Sequence, residues 1–205
     1  MREGLIAAGL ELARTGGPDA VVLREATRIV GVVPNAAYRH FADRDELLAE
    51  VCTAAMGELG ARMAADSGAV AGEYGDADGA VGRMASLGLA YLEFAKQEPG
   101  LFATAFALPH QHMYAAPATS ADGPDRTPLG QLRAALDELV EAGLLDPARR
   151  EGIEYPVWSM VHGLAVLTGQ GPLRGAEEAA LQAVTDRVFM FIAETVLTPA
   201  GGSGA

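Results

Sequence analysis

Val21–Glu50 reads VVLREATRIVGVVPNAAYRHFADRDELLAE, and the spacing inside it decides the fold. Leu23–Val30 has the period of a short helix, with Ala26, Thr27 and Val30 inward. Gly31 follows where a helix needs a left-handed closing residue. Pro34 fits the first position of the next short helix, where its missing N–H costs nothing. That helix is expected to end near Phe41, with Ala37 and Phe41, four apart, turned inward. Asp43 and Glu46 then form a D-x-x-E capping box ahead of Leu47, Leu48, Val51 and Ala55. Two short helices joined by a tight turn, with a third stacked behind, have helix-turn-helix spacing. In that motif the second short helix enters the major groove of DNA. Asn35, Ala36, Tyr38, Arg39 and His40 are left on its outside. Tyr and His can donate to phosphate, Arg adds charge and Asn can read an adenine edge.

Outward from this segment the chain reads as helix almost everywhere, with no internal repeat and no alternating strand pattern. The periodicity predicts helices near Arg2–Arg14, Ala80–Lys96 and Pro99–Leu108. It predicts another from Leu129 that is stopped by Gly143 and Pro147. Residues 66–78 read as a connector and 109–128 as the longest loop. Two long closing helices, roughly Ala148–Gly169 and Ala176–Leu197, are apolar on more than one face, and Pro156 is expected to kink or offset the first. A helix apolar on two sides needs two partners, the second being the same pair in another copy of the chain. Phe189 and Phe191 are assigned to that seam. The fold class is therefore all-α. Residues 1–48 form a three-helix helix-turn-helix domain, 49–198 a helical bundle for ligand binding and dimerisation, and 199–205 a disordered tail.

The 205 residues carry a formal charge of −12, which looks wrong for a nucleic-acid partner. Phosphate affinity, however, comes from local Lys and Arg. Between Ala20 and Arg44 stand Arg24, Arg28, Arg39 and Arg44 against only Glu25 and Asp43, whereas residues 53–205 hold nine basic and nineteen acidic side chains. Residues 20–44 are the one basic window. A single cysteine, Cys52, excludes a disulfide framework. No run of about 18 uncharged apolar residues and no signal peptide is visible, so no membrane association is expected and the cytoplasm is the expected compartment.

With those residues in view, the chain resembles the tetracycline-repressor (TetR) family of regulators. The matching residues are LRE-A-x(4)-GV at Leu23–Val32, A-x-YRHF at Ala36–Phe41 and RDELL at Arg44–Leu48. The resemblance implies that Tyr38 and His40 contact phosphates and that Arg44 anchors the DNA backbone. It places Arg28, Asn35 and Ala36 at the groove, with Arg24 and Arg39 beside them. Val33 departs from the family's usual Ser or Thr cap, and Thr27 and Ile29 replace the commoner Ala and Arg. WSMVHG at Trp158–Gly163 is similar to the tryptophan-histidine-glycine signature of one C-terminal subclass. The resemblance further implies repression of transcription from double-stranded operator DNA by a homodimer joined through the last two helices. A small hydrophobic effector then releases the DNA. Tyr91, Phe94, Phe102, Phe106, Trp158 and His162 are the candidate effector-binding residues. The same aromatics equally suit plain core packing, and His162 equally suits a hydrogen bond to a carbonyl.

No Gly-rich phosphate loop, nucleophile elbow or HExxH motif is present, so neither an enzyme nor a cofactor is expected. His110 and His112 form a His-x-His pair without a supporting carboxylate or cysteine, which reads as a surface pair rather than a metal site. Two other readings stay open: an activator of the same family, or a helical small-molecule-binding protein without DNA regulation.

Overall fold

A computed structural model describes residues 1–108 and 125–198. Among them are α1 (Arg2–Gly16), α2 (Leu23–Val30), α3 (Pro34–Ala37), α4 (Arg44–Gly68), α5 (Ala77–Gln97), α6 (Pro99–Ala105), α7 (Pro128–Glu141), α8 (Glu154–Gly169) and α9 (Glu178–Val196). The fold is all-α: among the described residues the only β pairing is a single bridge between Leu145 and Thr198. Of the expected loop 109–128, residues 109–124 with His110 and His112 lie outside the described residues, as does the expected tail 199–205, and Pro128 already opens α7.

The chain forms two compact units. The first comprises Met1–Leu59 and the described part of 97–116; the second comprises Gly60–Lys96 and the described part of 117–205. In the first, α1 packs on α2 and α6, and α2 on α3. Leu5, Val21, Ala26, Ala37, Phe41, Leu47, Val51 and Leu101 fill the core and are almost fully excluded from water. Leu5, Ala26, Ala37, Leu47, Val51 and Leu101 come from the inward stripes of their helices and Val21 and Phe41 from the turns between them, so the hydrophobic effect and the helical period select the same arrangement. Arg14, near the end of α1, reaches Glu58 of α4 at 2.6 Å and Glu98, just before α6, at 2.8 Å, tying three elements together.

In the second unit α7 packs on α8, and α8 on α9. The expected effect of Pro156 is seen at the start of the helix. A 3-10 turn occupies Pro147–Arg149, and α8 begins only at Glu154. Pro156 thus falls in the first helical turn, where its missing N–H has no intrahelical partner to lose. The helix therefore starts later than its apolar period alone suggests.

Two buried carboxylates fasten this unit. Glu138 on α7 accepts from Arg83 Nη2 at 2.5 Å and from the Gly75 N–H at 3.1 Å. Arg83 also donates to the carbonyls of Gly72 and Glu73, which pins the segment before α5. Glu154 sits between Arg133 and Arg150, each 3.1 Å away. The Arg83 hydrogen bond holds the Glu138 carboxyl below its ordinary 4.5 against the opposing effect of burial. Burial pushes Glu154 up, but its own backbone N–H, Arg133 and Arg150 together hold it below 4.5. A carboxyl whose native value is depressed stabilises the fold fully above its unfolded value and loses that contribution as pH falls through the native one. Thermal denaturation between pH 7 and 3 should therefore show a stability plateau that declines below about pH 4.5. Glu138→Gln should lower the plateau and flatten the decline.

Candidate functional site

The first unit carries the basic window. At the end of α2, Gly31 takes φ 77°, ψ 32°. Its N–H donates to the Arg28 carbonyl at 3.3 Å, and the Val32 N–H donates to Thr27 at 3.0 Å. This double closure satisfies carbonyls the helix leaves open, and a residue with a Cβ would be strained in that conformation. The chain then turns directly into α3, whose helical turn continues to Phe41 through Phe41 N–H to Ala37 carbonyl at 3.0 Å. Glu46 N–H donates to Asp43 Oδ1 at 2.9 Å, and the Glu46 carboxylate accepts from the Ala42 N–H at 2.5 Å. This capping pair sets the start of α4 immediately behind the α3 turn.

Because Ala37 and Phe41 are buried, the rest of the α3 turn faces water. Asn35, Tyr38 and Arg39 are exposed, Ala36 and His40 are half-buried, and Tyr38 is 58% exposed. Arg24 and Arg28 are exposed on α2, and Arg28 Nε is paired with Glu25 at 2.8 Å. Arg44 is half-buried and donates from Nε to Val21 O at 2.9 Å and from Nη2 to Pro18 O at 2.7 Å. It therefore fixes the chain entering α2 as well as presenting charge. The buried Thr27 hydroxyl is accommodated by donating to the Arg24 carbonyl at 2.8 Å.

Val33 precedes α3 with no side-chain cap and is 69% exposed. Val33→Thr supplies an oxygen for an orphan N–H of the first turn. It is expected to raise stability by about 1 kcal/mol, read by thermal denaturation.

The second unit holds a cavity of about 100 Å³. Met84, Leu87, Gly88 and Tyr91 of α5 line it. Leu132 of α7, Val157, Trp158 and Val161 of α8, and Phe189, Ile192 and Val196 of α9 complete most of the wall. Tyr91 meets Trp158 edge to face, with ring centroids 5.9 Å apart, and its hydroxyl lies 2.7 Å from His162 Nδ1 in a hydrogen bond. Burial pushes the His162 imidazole below its ordinary 6.5, so the ring is neutral at neutral pH. Tyr91 and Trp158 thus stand on the cavity, with His162 behind Tyr91. Phe94 is buried on α5 but is not one of the walls. Phe102 and Phe106 belong to the first unit, where their rings pack 5.1 Å apart.

Sequence reading missed Met84, Leu87, Gly88 and the inward turn of Phe189. Phe189 lines the cavity, whereas Phe191 is 55% exposed and Met190 58%. With Val166, Leu167 and Val184, these two leave a broad apolar face on α8 and α9. The Cys52 thiol is buried in the first unit, and burial pushes it up to about 11, far from a reactive thiolate. Among the described residues no group of three His, Cys, Asp or Glu side chains could hold a metal ion. None of their helices is long and apolar enough to cross a membrane.

Comparison with known proteins follows the same division. The family described as "Bacterial regulatory proteins, tetR family" matches residues 5–51. "Tetracyclin repressor-like, C-terminal domain" matches residues 84–190. No curated protein matches the sequence. Among solved structures, a protein of unknown function from Rhodococcus sp. RHA1 superposes with a TM-score of 0.66 at 23% identity, covering 96% of this chain and 95% of that one. Proteins described as TetR-family regulators from Vibrio parahaemolyticus (TM-score 0.61, 17% identity) and Shewanella sp. PV-4 (0.59, 16%) each cover 96% of this chain and 98% of their own. At these identities the structures establish a shared fold. The two family matches establish more, since together they take in both the basic helix-turn-helix and most of the helices around the cavity. The chain belongs to the TetR family of bacterial regulatory proteins, DNA-binding regulators of transcription.

Proposed function

We propose that this regulator is a repressor that binds operator DNA as a homodimer and is released by a small hydrophobic effector held in the second unit. The observation that carries the reading is the two-sided α3 turn. Its inward residues anchor it in a tight core, and its outward residues form a Tyr-Arg-His row beside two exposed arginines. Tyr38, His40 and Arg44 contact phosphates, and Arg24, Arg28, Asn35, Ala36 and Arg39 face the groove. The apolar face of α8 and α9 supports a twofold seam through these helices, since an exposed face of this kind marks an interaction surface. Trp158, His162 and Gly163 support membership of the tryptophan-histidine-glycine subclass.

The cavity supplies the switch. An effector that prefers one helix arrangement changes the spacing of the two reading turns. It weakens DNA binding by as much as its affinity differs between the two arrangements. Selection from random duplex DNA followed by footprinting tests the reading. The expected result is a twofold site whose halves lie about 34–36 Å apart, or a multiple of that spacing. Enrichment of no sequence, or of a single unrepeated half, would contradict it.

A further inference from the structure

The cavity specifies more about its ligand than that it is hydrophobic. Among the described residues every wall is apolar or aromatic and none is charged; the one hydroxyl among them, that of Tyr91, is already bonded to His162. A charged group entering would lose its water without gaining an opposite charge, a penalty of several kcal/mol. Size is limited as well. An apolar cavity of about 150 Å³ accommodates benzene, so the space of about 100 Å³ here is at most ring-sized, and a fused pair of rings exceeds it. The limit on the α9 side is set by Phe189. A Cβ added at Gly88 would lie 2.9 Å from Phe189 Cζ and 3.1 Å from Cε1. The ring therefore packs directly on the α5 backbone, and any larger residue at position 88 would displace it.

We infer that this cavity takes an uncharged molecule no larger than about a single aromatic ring, with Phe189 setting the limit on the α9 side. The inference rests on the reading of the cavity as the effector site. It is tested on the full-length chain by direct binding, with no DNA present, using toluene, benzoate, benzylammonium and naphthalene as probes. Toluene should bind saturably. Benzoate and benzylammonium, of similar size and opposite charge, should bind weaker by about a hundredfold or more. Naphthalene should bind poorly to the wild type and gain at least about tenfold in Phe189→Ala, because removing the ring opens space for a second one. Ala85→Phe, which fills the cavity from α5, should abolish toluene binding while thermal denaturation stays cooperative.

Benzoate or the ammonium binding as tightly as toluene would overturn the charge assignment. Naphthalene binding equally to wild type and Phe189→Ala would overturn the size limit. Failure of every probe to bind would overturn the inference as a whole. The underlying reading fails separately: toluene that binds as described yet leaves DNA affinity unchanged would sink the effector role and leave the ligand class standing.

Discussion

Tyr38→Ala combined with His40→Ala is expected to abolish specific DNA binding while leaving helix content and melting temperature almost unchanged. The two side chains leave the surface in the same turn that Ala37 and Phe41 hold inward; Tyr38 is mostly exposed and His40 half-buried, whereas Ala37 and Phe41 are at most 1% exposed. Truncating the outward pair removes no core contact, and surface changes of this kind usually shift stability by less than about 0.5 kcal/mol. Binding responds differently. If each side chain makes one phosphate hydrogen bond worth about 1 kcal/mol, a dimer loses four, or about 4 kcal/mol. That corresponds to roughly a thousandfold in affinity. Circular dichroism and a binding titration on the same preparation separate the two effects. A variant that still binds with wild-type affinity would remove the α3 turn from the interface.

The second large effect is expected at the opposite end of the chain. Phe191→Arg should convert the proposed dimer to a monomer, read by sedimentation. Phe191 and its neighbour Met190 are each more than half exposed, and α9 buries only Ile192 and Val196 within its own unit. An aromatic anchor at the centre of an interface contributes about 2–4 kcal/mol, and twofold symmetry places two of them in the seam. Replacing both with arginines that face each other should raise the dimer dissociation constant by at least about a thousandfold. DNA affinity should fall with it, because two linked reading turns gain from effective concentration and a single one does not. A variant that stays dimeric would place the seam elsewhere.

The reading turn was legible in the sequence because its determinants are local. Gly31, Pro34, Asp43 and Glu46 act on backbone groups within four residues of themselves, so each could be assigned from the chain alone, and the helix boundaries around them follow. The α8 start was misread because the helical period continues upstream of Pro156 and hides the proline's preference for the first turn. Phe189 was misread for a different reason. A helix apolar on more than one face gives no sign of which residue faces a cavity and which a partner, and the close approach to Gly88 separates Phe189 from Phe191. The aromatics singled out by type fell on two compact units, because residue type says nothing about which residues meet across tens of positions. Met84, Leu87 and Gly88 carry no chemical signal in sequence at all, and their place on the cavity emerges only when α5, α8 and α9 are packed.

The central claim is that the α3 turn holds this chain on DNA. A fluorescence-anisotropy titration of a selected duplex across a salt series, with the Tyr38→Ala/His40→Ala variant alongside, tests it most directly. The account predicts saturable binding that survives competitor DNA and weakens steeply as salt rises, since phosphate contacts release counterions. The double variant should show only the residual binding it has for scrambled duplex. Affinity that is the same for selected and scrambled duplexes, or that is unaffected by the double variant, would contradict it.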